Sequence, residues 1–153
     1  MSWWITSAER TLSEEVPAPP DDVRAFYVDL GNLRLVHPLI VSVRVLSRDE
    51  TANGYVQQYR VEDRIPFGPF KLKAVYGARL RVPAEGDVLT EASQPPGVRL
   101  RGAVSFHPSA HGTLLTERIH IEAPRPLAAF TVREAVKAHT AMLAGIRAHF
   151  ESA

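Results

Sequence analysis

The chain has 153 residues with 45% apolar and 23% charged side chains, enough apolar matter for a packed core or a walled cavity and too much for a disordered segment. Its formal net charge of +1 argues against a dedicated nucleic-acid binder, and the absence of cysteine excludes disulfides, thiolate metal sites and cysteine nucleophiles. No apolar run approaches the ~20 residues of a membrane span, and MSWWITSAER lacks a basic stretch ahead of an apolar one, so a single cytoplasmic domain without signal peptide over residues 1–153 is expected.

Ile5 to Val16 alternates, with Leu12, Glu14 and Val16 on one side and Thr11, Ser13 and Glu15 on the other, as an edge strand would. Pro17, Pro19 and Pro20 end it, because proline cannot donate to a ladder. Pro20 can open a helix, Asp21 and Asp22 suit its first turn, and Val23, Phe26, Tyr27 and Leu30 form one apolar face. Gly31 is expected to cap it in the left-handed conformation. Leu33, Leu35 and Val36 then form a second short apolar turn, and Pro38 forces His37 out of helical geometry.

Six strands follow. The first alternates Val41, Val43 and Val45 against Ser42, Arg44 and Leu46, and Asn53-Gly54 turns it into a hairpin. The second carries Tyr55, Gln57, Tyr59, Val61 and Asp63 on one face and ends at the turn Pro66 to Pro69. The third has Phe70, Leu72, Ala74, Tyr76, Ala78, Leu80 and Val82 on one face, and Lys71, Lys73, Arg79 and Arg81 on the other. Turns at Glu85-Gly86, Pro95 to Gly97 and His107 to Gly112 separate the rest. The last segment is a long amphipathic helix with the stripe Val132, Val136, His139, Leu143, Ile146 and Phe150, and Thr131 to Glu134 has the form of a capping box.

VPAPPDDVRAFYVDLGNLRLVHPLI resembles the opening of the START/Bet v 1-like superfamily, the polyketide cyclase/dehydrase and lipid-transport group also called SRPBCC. The matching positions are Val16, Ala18, Pro19, Val23, Asp29 and Pro38, and GTLLTERIHIEA followed by a long helix is similar to the family's end. The resemblance extends from about Thr6 to Phe150. It departs from the family where many members place a tryptophan in the second helical turn; here stand Arg34, Leu35, Val36 and His37. It implies an α+β helix-grip fold: a curved seven-stranded antiparallel sheet wrapped around a long C-terminal helix, with two short helices closing one end. Such a sheet leaves a cavity suited to a small ligand.

If the apolar face is concave, period two places Tyr59, Asp63, Leu72, Ala74, Tyr76, Leu100, Val104, Phe106, Glu117 and Ile119 around that cavity. The helix adds Val136, His139, Met142 and Leu143, and His37 lies near the closing helices. His139 is either a hydrogen-bonded core histidine or a working acid/base. Glu117 is either partnered by Arg118 or solvent, or works with His139, since an inward carboxylate needs a partner. Tyr59 and Tyr76 suit amphipathic wall positions, and Asp63 suits support of the Pro66 to Pro69 turn. Arg99 and Arg101 extend the basic row of Lys71 to Arg81, which lacks interleaved aromatics for base stacking. His107 and His111 flank a turn and lack the helical spacing of a metal pair, so neither metal nor cofactor is expected.

Three functions remain open. The first is binding of a hydrophobic or amphipathic small molecule: a lipid, a polyketide or an aromatic metabolite. The second is a cyclase, aromatase or dehydratase, with His139 and Glu117 as the catalytic pair. The third is a protein-interaction module, suggested by Trp3 and Trp4.

Overall fold

The structure is a computed structural model that describes residues 3–152. Strand β1 (Ile5–Val16) is followed by helices α1 (Pro20–Val28) and α2 (Leu30–Val36). Then come β2 (Ile40–Thr51), β3 (Gly54–Phe67), β4 (Phe70–Pro83), β5 (Val88–Gln94), β6 (Val98–Ser109), β7 (Gly112–Pro124) and helix α3 (Arg125–Glu151). The seven strands form one curved antiparallel sheet in the order β1-β7-β6-β5-β4-β3-β2. β1 and β2 are its two edges, so α1 and α2 must carry the chain across one end of the sheet. That is why a β-rich chain interrupts itself with two small helices, and why those helices close the space beneath α3.

Local chemistry explains the junctions. Pro19 precedes α1 in extended geometry, and Asp21 and Asp22 occupy its first turn. Asp29 ends α1 and caps α2, accepting a hydrogen bond from the Gly31 amide at 3.0 Å. Gly31 is therefore inside α2, not a left-handed cap; the short acid stops one helix and starts the next. Leu35 is 76% exposed rather than on an apolar face, because only one side of α2 has anything to pack against. His37 is the C-cap of α2 in extended geometry (φ −86°, ψ 117°), as Pro38 demands. Gly112 opens β7 at φ +139°, where an added Cβ would stand 2.4 Å from the Val16 carbonyl oxygen. This close approach ties the hairpin to the exit from β1, where Thr113 Oγ1 also donates to the Ala18 carbonyl at 2.7 Å.

Alternation holds best in the middle of the sheet. In β3, Tyr59, Val61 and Asp63 are buried; in β4, Ala74, Leu80 and Val82 are; in β7, every second residue from Thr113 to Ala123 is. β2 departs from its expected pattern. Register shifts between Ile40 and Ser42 and between Val45 and Ser47 break the alternation, and Val41, Val45 and Leu46 are exposed at the sheet edge.

α3 begins at Arg125, with Pro124 as N-cap, so the Thr131–Glu134 box lies inside the helix and caps nothing. The prolines already start the helix about two turns earlier. Its second half is gripped tightly: Met142, Leu143 and Ile146 pack with Val23, Phe26, Val104 and Leu115 in the core. Gly145 lets α2 come close, since a Cβ there would be 3.3 Å from Val36 Cβ. The first half of α3 rests on open space.

Candidate functional site

The solid core and the open space divide the interior. At the α1 end, aromatic and branched side chains fill the gap between sheet and helix. At the other end the wall residues are short, Ala74, Ala92 and Ala138 among them, and a cavity of about 300 Å³ remains. It lies between the first half of α3, the β3–β4 strands and the turn at Gln94 to Pro96. A smaller cavity of about 90 Å³ continues inward toward Leu30, Leu33 and Tyr59. His37, Tyr76, Ala92, Leu100 and His139 line both, so they form the partition between the two compartments.

Glu117 on β7 anchors the polar cluster. Its side chain is 3% exposed. Tyr27 of α1 donates its hydroxyl to Oε2, and Oε1 meets His139 Nδ1 of α3 at 2.9 Å. A buried carboxylate needs such partners. Arg118, the partner considered from sequence, points the other way and pairs with Asp87 at 2.9 Å. Burial pulls the His139 pKa down, but the Glu117 charge, its hydrogen bond and the Asp63 charge outweigh this and leave it raised above 6.5. The Glu117 carboxylate thus favours the imidazolium over the neutral ring relative to a free histidine. Because Nδ1–H donates to Glu117, loss of a proton leaves a bare Nε2.

His37 has the opposite tautomer. Its Nδ1 accepts the Leu39 amide hydrogen bond at 3.3 Å, which leaves the ring proton on Nε2. Burial, reinforced by the charge of His139, lowers its pKa to about 3, so it is a neutral donor at physiological pH. The two rings meet edge to face with centroids 5.4 Å apart. Among the described residues no buried side-chain nitrogen or oxygen lacks a hydrogen-bond partner. The two Nε2 atoms have no protein partner there, so both are accessible from the cavity they line. Opposite them, Tyr76 donates to Asp63 at 3.2 Å. Burial raises the Asp63 pKa to about 6, against the lowering effects of that hydrogen bond and of His139. Burial and Asp63 also raise Tyr76, and burial pushes Tyr59 to about 12. Asp63 thus belongs to the cavity wall, not to the Pro66–Pro69 turn.

The structure gathers His37, Asp63, Leu72, Ala74, Tyr76, Leu100 and His139 around the larger cavity, and places Tyr59 and Met142 at the smaller one. Six expected wall residues lie elsewhere; one is Glu117, which lines neither cavity and sits against His139, which lines both. Val104 and Leu143 are sealed in the core at 1% exposure, where the aromatic rings of α1 leave no gap. Ile119 is buried away from either cavity, and Phe106 packs against the Tyr27 ring at 5.7 Å. Val136 lies on the opposite flank of α3, facing β1 and β7. The expected stripe ran too far around the helix: a residue three before His139 sits about 60° away on the wheel, enough to cross to the other flank. Tyr27 escaped the sequence reading because it looked like one more apolar-face residue of α1. The usable signal was a hydroxyl on a stripe that must cross an inward carboxylate.

A curved antiparallel sheet closed over a long helix, with a partly polar cavity between them, defines a helix-grip protein. The chain belongs to the family described as polyketide cyclase / dehydrase and lipid transport, which matches residues 7–151. No curated protein matches it. Among solved structures it is similar to TTHA0849 from Thermus thermophilus, at 19% identity and a TM-score of 0.73 over 97% of each chain. It is similar to the Zhui aromatase/cyclase from Streptomyces sp. R1128 at 14% identity and a TM-score of 0.75, over 96% of this chain and 94% of that one. A START superfamily protein from Mycobacterium smegmatis matches 88% of this chain and 94% of its own at 20% identity and a TM-score of 0.61. At these identities the likeness shows the fold.

Proposed function

We propose that the chain binds a hydrophobic or amphipathic small molecule, a lipid, polyketide or aromatic metabolite, in the cavity beneath the first half of α3. The observation that carries this reading is an apolar cavity of about 300 Å³ with His37, Asp63, Tyr76 and His139 converging at its inner end. Apolar walls supply affinity, and a few placed polar groups fix a ligand's oxygen atoms. His37 Nε2–H is a donor for a carbonyl or phenolic oxygen. Phe67, Phe70, Leu72 and Leu127 expose apolar surface, and Leu72 and Leu127 also line the cavity, an entrance suited to an apolar ligand. A cytoplasmic address fits this reading.

A second reading, a cyclase, aromatase or dehydratase working in the same cavity, is favoured by Glu117 and His139. A histidine held by a buried carboxylate can give a proton from Nε2 and take one back, while neutral His37 polarises the substrate oxygen. The aromatase/cyclase among the similar structures fits this alternative.

Native mass spectrometry of the purified protein, followed by denaturation, tests binding directly. A released apolar molecule, or a rise in melting temperature with one member of a panel of aromatic and fatty compounds, is the expected result. Failure of every compound to shift the melting temperature, together with an empty purified protein, would reject the binding reading. Once a substrate is known, His139→Gln separates binder from enzyme. Retained affinity with turnover reduced at least ~100-fold marks general acid–base catalysis.

A further inference from the structure

Helix α3 has a second hollow on its other flank. There Ala8, Ile121 and Ala123 of β1 and β7 face Ala129, Val132 and Val136 of α3 across an open groove of about 630 Å³. It shares no lining residue with the cavities beneath the helix. Its floor is apolar and made of small or branched side chains. Its rim carries Arg10 from β1 and Arg133 and Lys137, one helical turn apart, from α3; among the described residues no carboxylate lines it.

The charge pattern is unusual for this interface. Farther along the same pair of elements, Glu14 of β1 and Arg147 of α3 form an ion pair at 3.0 Å. Opposite charges meet there, whereas at the groove cations stand on both sides. Arg10 donates only to the carbonyl of its neighbour Glu9, and Lys137 enters no ion pair among the described residues. Arg133 lies 3.7 Å from Glu134, but its side chain is 66% exposed, where such a pair contributes little. Like charges lining one groove repel, and an anion between them relieves the repulsion while its carbon chain covers the apolar floor.

We infer that this groove is a second ligand site, for an amphipathic monoanion: a carboxylate held between Arg10 and Lys137 with an aliphatic chain along Ala8, Val132 and Val136. The site is independent of the cavity and stands or falls separately from the function proposed above.

Decanoate is the probe, with decan-1-ol as the uncharged control and acetate as the control without a chain. Binding is followed by amide chemical shifts. Ala8, Ala123 and Ala129 report the groove, and Ala92 and Leu100 report the cavity. Decanoate is expected to move the groove signals, to bind at least ~10-fold more tightly than either control, and to weaken as salt is raised. The double variant Arg10→Gln/Lys137→Gln replaces exposed side chains and is expected to keep the remaining spectrum while losing about tenfold in affinity. Shifts confined to Ala92 and Leu100 would overturn the groove site and support the cavity. Equal binding of decan-1-ol, undiminished binding by the double variant, or no groove shift at all would also overturn it.

Discussion

Two histidines in one cavity hold opposite tautomers because different neighbours claim the same ring atom. A backbone amide donates to Nδ1 of His37, and a carboxylate accepts from Nδ1 of His139. Their charge states follow, and each can be tested by titration. Replacing Glu117 with Gln removes the largest effect that raises His139 and leaves burial, which lowers it. The His139 pKa, read from ring proton shifts, is therefore expected to fall from above 6.5 to below it; a value unchanged in Glu117→Gln would break the assigned pairing. Stability should carry a second signature. His37 has a folded pKa of about 3 against 6.5, so its contribution is present above 6.5 and is lost as pH falls toward 3. The shift corresponds to an upper bound of about 5 kcal/mol. Asp63 acts in the opposite sense. Its folded value of about 6 exceeds 3.8, so its contribution is complete below 3.8 and is lost as pH rises through 6, by an upper bound of about 3 kcal/mol. The two effects offset each other in the native protein. His37→Gln is expected to flatten or reverse the loss of stability between pH 6 and pH 4, and Asp63→Asn to steepen it, in urea melts at each pH.

At the scale of elements, α3 behaves as two helices in one. Its second half is locked by Met142, Leu143 and Ile146, and its first half has hollow on both flanks. Leu143→Ala should cost about 2–5 kcal/mol, the range for a large side chain deleted from a solid core. Val136→Ala, beside the open groove, should cost less than about 1 kcal/mol, because little packing surrounds the deleted methyl groups. Similar losses for both in denaturant melts would contradict the division. This division also marks what the residues disclosed. The succession of elements along the chain, the edge character of β1 and the β3–β4 face were legible, because period-two alternation is strict where one sheet face is buried, as at Tyr59, Val61 and Asp63. Period 3.6 was less informative. It showed that α3 has an apolar stripe, but not that Val136 and His139 look into different hollows, since that depends on where the sheet curves. Glu117 and His139 could be named as a candidate acid/base pair from inward-facing polarity. The cluster is centred on Glu117, which bonds His139 with one oxygen and Tyr27 with the other, and no local pattern records contacts among residues 27, 117 and 139, so far apart in the chain.

For the whole molecule, the central question is whether the space under α3 is kept open for an occupant or is only loosely packed. The two cases respond differently to filling it. Ala138 lies on the cavity side of α3 at 2% exposure, with the cavity of about 300 Å³ beside it. A phenyl ring at that position should enter the void in a staggered rotamer instead of forcing the helix off the sheet. Overpacking a filled core costs about 1–3 kcal/mol; filling a void recovers dispersion contacts and removes apolar surface from water. Ala138→Phe is therefore expected to melt at or above the temperature of the native protein. If the void is a binding site, the same substitution should abolish release of a bound molecule in native mass spectrometry, while leaving decanoate binding in the outer groove intact. Full ligand retention in a folded Ala138→Phe protein would mean that the ligand sits elsewhere. Loss of folding would mean that the first half of α3 has no room to give, which Ala138→Val, adding less bulk at the same site, would resolve by a graded change in melting temperature. The arrangement favours the open case: polar groups that are individually satisfied on one side, His37 and His139 through Nδ1, each keep Nε2 accessible from the space they line. A void that merely resulted from small side chains would have no reason to gather those atoms at its inner end.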